Sequence, residues 1–183
     1  MIEIKDLSVK LGEKHVFRSA SFSIPDRGVV LISGESGVGK TTLLRVLCGL
    51  KKPDAGTVSG LENRKVSIVF QEPRLLDHLT ALENVALVSD RKTAEELLCK
   101  LNMESELGQK AGALSGGQKQ RVSIARALAF SDDVVLLDEP FSGLDEQNKL
   151  RAADLICSAK LVIVVTHEAS DEQILHFDEK ITL

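Results

Sequence analysis

The sequence predicts an α/β fold: a mostly parallel sheet core with an antiparallel β edge and an inserted α-helical subdomain. Three observations lead there. Short apolar runs, among them Val29-Val30-Leu31-Ile32, Val134-Val135-Leu136-Leu137 and Leu161 to Val165, read as buried strands. They alternate with apolar-periodic helical stretches, the pattern of strand–helix units joined in parallel. From about Thr80 to Leu101 the strand runs give way to helical character.

Each element has a local reason. Ile2 to Val9 and Val16 to Ile24 read as strands joined by a turn at Gly12-Glu13-Lys14. Pro25-Asp26-Arg27-Gly28 is a second turn, leading into Val29 to Ile32. A helix follows Lys40, runs to about Leu50 and stops before Pro53. Thr57 to Gly60 and Lys65 to Phe70 read as strands. Thr80-Ala81-Leu82-Glu83 has capping-box spacing, so a helix starts there, and Ala94 to Leu101 is another. Gly108 to Gly112 is looser. Then come a helix from about Gly117 to Phe130, a strand Val134 to Leu137, a helix Glu146 to Cys157, a strand Leu161 to Val165 and a short last strand Glu179 to Leu183. One domain is expected over 1–183, with a core of about 1–72 and 131–183 and a helical subdomain of about 73–130.

Composition narrows the function classes. Hydrophobic residues are 43% and charged residues 27% of 183, which supports a packed core. A net charge of −4 disfavours a broad nucleic-acid face, so no nucleic-acid partner is expected. No apolar run approaches the roughly 18 residues of a membrane-spanning helix. The first residues, Met1-Ile2-Glu3-Ile4-Lys5-Asp6, carry acids and no apolar core segment, so no signal peptide is expected. Cys48, Cys99 and Cys157 have no metal-like spacing and are expected to be buried free thiols.

The chemistry begins at Gly34-Glu35-Ser36-Gly37-Val38-Gly39-Lys40-Thr41, which reads G-x-x-x-x-G-K-[ST], the phosphate-cradling P-loop. A strand precedes it and a helix follows, the context that the motif needs. Glycines let backbone N–H groups approach a polyphosphate, and the helix N-terminus adds unpaired donors. Lys40 supplies a charge for the β- and γ-phosphates and Thr41 a hydroxyl for Mg²⁺.

Two more motifs follow. Asp138 and Glu139 end the strand Val134 to Leu137, at the sheet edge where ligands of open α/β sheets bind. Asp138 suits a Mg²⁺ role, and Glu139 suits activating a water. Leu114-Ser115-Gly116-Gly117-Gln118 has two readings. Ser115 and Gln118 fit a capping box for the next helix, and the same helix N-terminus with two glycines is a second anion site. A second anion site invites a nucleotide shared between two subunits. His167, taken alone, reads more readily as a structural histidine than as a ligand.

With these residues in view, the chain resembles the nucleotide-binding subunits of ABC-type ATPases over essentially its whole length. Gly34 to Thr41 matches the Walker A loop, Gln71 the Q-loop, Leu114 to Gln118 the signature, Asp138 and Glu139 Walker B and the catalytic glutamate, Ser142 to Asp145 the D-loop, and Thr166-His167 the switch histidine. The resemblance implies a P-loop NTPase (RecA-like) core. It implies catalytic roles for Glu139, His167 and Lys40, and nucleotide contacts from Gly34, Ser36, Gly37, Val38, Gly39, Lys40, Thr41, Thr42, Gln71, Ser115, Gly117 and Asp145. It implies Mg²⁺ near Thr41, Gln71 and Asp138. It implies ATP as substrate, a second nucleotide-binding subunit in a homodimer, integral membrane transporter subunits as partners, and a cytoplasmic, peripheral place on the inner face of the membrane.

Two features depart from the family. Leu11 stands where an aromatic residue usually stacks on adenine, and the chain has no Tyr and no Trp. The segment after His167 is short, residues 168 to 183. The run Phe70 to Leu76, with Leu79-Thr80 and Glu83-Asn84-Val85, is similar to importer ATPases for nitrate, sulfonates and taurine. The expected role is powering a membrane transporter. A soluble ABC protein acting on DNA or ribosomes, and a low-turnover regulatory module, are the alternatives. The transported substrate is not encoded.

Overall fold

A computed structural model describes residues 1–167 and 169–183. In chain order the elements are β1 (Ile2–Leu11), β2 (Lys14–Ile24), β3 (Gly28–Ser33), α1 (Lys40–Leu47), β4 (Ala55–Ser59), β5 (Val66–Val69), α2 (Ala81–Ala86), α3 (Arg91–Lys100), α4 (Gly116–Phe130), β6 (Val134–Asp138), α5 (Glu146–Ile156), β7 (Leu161–Val165), α6 (Ala169–Ile174) and β8 (Glu179–Thr182). Two sheets organise them. One is parallel, in the order β5-β6-β7-β3-β8. The other is antiparallel, β2-β1-β4.

The central strands show why their sequences are apolar throughout. Along β6, Val134 and Leu136 join one buried cluster, with β1, β3 and α1. Val135 and Leu137 join the other, with α2, α3 and α4. β7 splits the same way, Leu161, Ile163 and Val165 against Val162 and Val164. A strand covered on both faces has no reason to alternate apolar with polar residues. The antiparallel strands form a sheet of their own, laid over one face of the parallel one. β1 and β2 are bulged, with Asp6 at φ 50° and Ser19 at φ 52°. Ser21 Oγ accepts from the Asp6 N–H at 2.8 Å, and Ser8 Oγ from the Ser19 N–H at 3.1 Å. Hydroxyls thus replace ladder bonds that the bulges remove.

Both expected capping boxes form. Thr80 Oγ1 accepts from the Glu83 N–H at 3.1 Å, and Ser115 Oγ from the Gln118 N–H at 3.3 Å. The return bonds, to Glu83 Oε2 and Gln118 Oε1, are both 2.8 Å. Buried polar side chains of α2 and α4 tie the helices to their surroundings. Asn84 Nδ2 donates to the Leu76 and Thr80 carbonyls and its Oδ1 accepts from the Leu76 N–H, which pins the loop before α2. The Arg121 guanidinium donates to the Leu101 and Asn102 carbonyls at the end of α3, 2.8 and 2.6 Å away. Those are the orphan acceptors of a helix C-terminus. Gln120 Nε2 donates to the Pro140 carbonyl at 3.0 Å, which joins α4 to the loop after β6.

Three expectations change. The first helix ends at Leu47, because Gly49 takes φ 76° and its N–H returns to the Val46 carbonyl. A helix that periodicity did not signal, α6, lies between β7 and β8. Cys48 and Cys99 are half-buried and Cys157 is exposed at the end of α5, so the free thiols are not all buried.

The two glycines that open α4 differ. A Cβ on Gly116 would meet nothing within 4 Å. A Cβ on Gly117 would lie 2.5 Å from the Gly143 carbonyl oxygen, on the loop that leads into α5. Gly117→Ala should therefore lower Tm by several degrees, since overpacking costs about 1–3 kcal/mol. Gly116→Ala should leave Tm unchanged or slightly raised, because alanine is the better helix former. Equal Tm for both variants in a thermal melt would contradict this account of the α4–α5 contact.

Candidate active site

Register decides the site. In the parallel sheet Val165 pairs with Ile32 on one side and with Asp138 on the other. Ser33 then ends β3 ahead of Gly34, and Thr166 and Glu139 follow directly, so the three strands release their loops within about one residue of the same level. They open into a cavity of about 480 Å³, a volume in the range of small-molecule sites. Ser36, Gly37, Gly39, Lys40, Thr41, Thr42, Gln71, Asp138, Glu139 and His167 line it.

The glycine loop is as strained as its sequence demands. Gly34, Gly37 and Gly39 take φ of 147°, 78° and 121°. A Cβ on Gly39 would lie 2.4 Å from Val16 Cγ1 and 2.9 Å from the Phe17 ring, because β2 packs against the loop. Lys40 is buried, and its Nζ donates to the Gly34 and Glu35 carbonyls at 2.8 and 3.0 Å. The ammonium is thus held inside the loop, beside the N-terminus of α1. Gly34 gives a carbonyl to this contact rather than a cavity wall, and Val38 lines a separate pocket together with Phe22 and Leu183.

Glu139 is the most constrained residue. Its φ is 49°, left-handed for a residue with a side chain, at a cost of about 1–3 kcal/mol. Neighbours hold it there. Its N–H donates to the Val165 carbonyl at 2.9 Å, and its Oε2 accepts from the His167 N–H and the Thr166 hydroxyl, each at 3.3 Å. Its Oε1 is buried, with no hydrogen-bond partner among the described residues, and His167 Nε2 is 3.7 Å away. Burial pushes the Glu139 carboxyl above the ordinary glutamate range, against the His167 N–H, the imidazole and the Thr166 hydroxyl, while Asp138 adds to the rise. Asp138 is also raised by burial, opposed by a hydrogen bond from Thr41 and by the charges of Arg45, His167 and Lys40.

Three expected site residues lie elsewhere. Ser115 and Gly117, at the start of α4, do not line the cavity. Neither does Asp145, whose two carboxylate oxygens accept from the Asn148 N–H at 2.9 Å and the Asn148 side chain at 2.8 Å as the cap of α5. Within one subunit these residues are helix caps and packing elements. Conversely, Leu11, Lys14 and Val16 of the first hairpin line the cavity rim. Leu11 stands where the family pattern has an aromatic residue; Lys14 and Val16 belong to no motif.

A glycine loop gripping a buried lysine, beside two carboxylates and a histidine at the same sheet edge, defines a P-loop ATPase. Comparison with known proteins sharpens this. The ABC transporter family matches residues 17–142. The aliphatic sulfonates import ATP-binding protein SsuB of Zymomonas mobilis is 39% identical over 93% of this chain and 77% of its own length. The L-cystine import ATP-binding protein TcyN of Bacillus subtilis is 35% identical, over 98% and 83%. A dimeric post-hydrolysis state of the ATP-binding cassette MJ0796, bound to ADP and Pi, superposes with a TM-score of 0.85 at 31% identity, over 100% of this chain and 94% of that one. The chain belongs to the ABC transporter family, as an ATP-binding, ATP-hydrolysing subunit.

The raised Glu139 carboxyl has a stability consequence. The native state holds that proton more tightly than the unfolded chain, so ionisation costs stability. The cost is absent below the ordinary value of 4.5 and full above the raised native one. Glu139→Gln should therefore raise Tm at pH 8, by about 2–4 °C for each kcal/mol recovered. The gain should shrink as pH falls toward 4.5. A gain that is undiminished at pH 4.5 would contradict the burial argument.

Proposed function

We propose that two copies of this subunit close head to tail around two ATP molecules and so drive an importer in a membrane. A division among the site residues supports this. The P-loop, Asp138, Glu139 and His167 share one cavity, while Ser115 and Gly117 stand outside its lining, at the N-terminus of α4. Each ATP then lies between one subunit's P-loop and the other's Ser115 and Gly117, in an isologous pair. The Asp145 turn lies beside the same seam, as Gly117 lies beside Gly143. The likeness to a dimeric cassette supports the pairing.

In this reading Lys40, released from its two carbonyls, binds the β- and γ-phosphates. The backbone N–H groups of 36 to 42 surround the phosphate tail. Thr41, Asp138 and Gln71 offer a hydroxyl, a carboxylate and an amide oxygen, the hard oxygen donors that suit Mg²⁺. When bound there, Mg²⁺ would neutralise charge on the phosphate oxygens. Glu139 takes a proton from the attacking water through Oε1, its unpartnered acceptor, and its raised carboxyl pKa makes it a stronger base than an ordinary glutamate. His167, half-exposed at the cavity mouth, contacts the γ-phosphate. Leu11, Val16 and the Lys14 stem would pack against the base without an aromatic stack. ATP binds the closed pair better than the open one, and that difference supplies the work.

The membrane subunits are the expected partners, on the cytoplasmic side. No helix among the described residues is long and apolar enough to cross a membrane itself. Both sulfonate and cystine importers stand among the relatives, and the cargo would be selected by the membrane subunits.

Two variants test the chemistry. Glu139→Gln should lose steady-state ATPase by 100-fold or more, on the order of a general-base contribution, and keep its ATP dissociation constant. Lys40→Ala should weaken ATP binding about 10- to 100-fold, the worth of charge-assisted phosphate contacts. Full turnover in the first variant, or unchanged affinity in the second, would contradict the assignments.

A further inference from the structure

Behind Glu139 runs a buried polar chain that the reaction described above does not use. The Thr166 hydroxyl lies 3.3 Å from Glu139 Oε2 and 2.9 Å from Asp171 Oδ2. Asp171 Oδ1 accepts from Lys149 Nζ at 2.8 Å. Thr166 and Asp171 are 5% and 1% exposed, and the Lys149 side chain 12%. The chain crosses three elements: Thr166 follows β7, Asp171 lies on α6, and Lys149 lies one turn into α5, its N–H bonded to the Asp145 carbonyl.

The proton count makes this arrangement informative. A threonine hydroxyl carries one proton and two lone pairs. Placed between two carboxylates, it can donate to only one of them at a time. Asp171 is held by the Lys149 ammonium and can accept from Thr166 without further change. Glu139 alternates between ionised and protonated forms if it serves as the base.

We propose that Thr166 is a positioning residue for Glu139, a hydroxyl that donates to Oε2 and so keeps Oε1 turned to the attacking water, with Asp171 and Lys149 as its anchor. Before water attack the hydroxyl proton points to Glu139 Oε2, leaving Oε1 free for the water. Once Glu139 has taken the water's proton on Oε1, Oε2 is a neutral and weaker acceptor, and the Thr166 proton swings to Asp171 Oδ2. Thr166, Asp171 and Lys149 neither gain nor lose a proton; only the hydroxyl rotates. The His167 N–H still donates to Oε2, so Glu139 keeps one orientation in both states, despite its left-handed backbone.

This inference rests on Glu139 acting as the base. The test uses the full-length chain with Thr166→Val, which keeps the shape and removes the hydroxyl, and Thr166→Ser, which restores it. The expected result for Thr166→Val is a kcat about tenfold lower with KM for ATP within about twofold, the loss of one hydrogen bond to a charged group. Thr166→Ser should recover kcat to within about threefold of wild type, because the same bonds are available. Asp171→Asn, measured alongside, should lower kcat in the same direction if it folds; the Thr166 pair decides if it does not. An unchanged kcat in Thr166→Val, a rise confined to KM, or a serine variant no better than valine would overturn the proposal. Glu139→Gln distinguishes the two levels. If that variant still turns over, the base assignment fails. If it is inactive while both Thr166 variants match wild type, only the role of Thr166 fails.

Discussion

The pairing of Val165 with Ile32 on one side and Asp138 on the other is the contact on which the site depends. Parallel strands with both faces buried can be read in one register only, because a one-residue slip would turn every side chain to the opposite face. Val134, Leu136, Ile163 and Val165 must meet β1, β3 and α1, and Val135, Leu137, Val162 and Val164 must meet the helices. With the register fixed, the phosphate loop, the Asp138–Glu139 pair and Thr166-His167 leave the sheet side by side. No long-range search is needed to assemble them. The Glu139 N–H then bonds directly to the Val165 carbonyl, and the strained turn at Glu139 is held by the strand next to it.

The site spends stability at that edge. A left-handed non-glycine residue, a buried lysine and two carboxylates raised by burial stand within one cavity. None of these features helps the chain fold. In the proposed reaction each prepares a charge or an acceptor for ATP, and the apolar layers on either side of the sheet support them. The helices contribute through specific tethers. Gln120 reaches the Pro140 carbonyl beside Glu139, and Lys149 reaches Asp171, so α4 is bonded to the loop after β6 and α5 to helix α6.

Much of this was legible in the sequence, and the remainder was hidden for physical reasons. The P-loop declares itself, because glycines at 34, 37 and 39 are needed for positive φ. The strands β6 and β7 declare themselves because burial on both faces leaves uninterrupted apolar runs. Helix α6 gave no signal, since six residues are too few for a helical period. With it went Asp171, an acid in a polar segment whose burial depends on α5. The φ of Glu139 was equally silent: nothing in Asp-Glu-Pro requires a left-handed residue. Gly117 was read as an anion-binding glycine, and the structure adds a second reason, the Gly143 carbonyl 2.5 Å from where a Cβ would stand. Lys14 and Val16 line the rim only because the bulged hairpin of β1 and β2 folds over the phosphate loop.

The central claim is that the site is finished by a second copy of the chain. The direct measurement is the solution mass of Glu139→Gln by light scattering after gel filtration, with and without millimolar ATP and Mg²⁺. A monomer that becomes a dimer only with nucleotide is the predicted result. It would place Ser115 and Gly117 on the partner's ATP, and it would show that Leu11 suffices at the base. A monomer under both conditions, in a preparation that demonstrably binds ATP, would contradict the shared site.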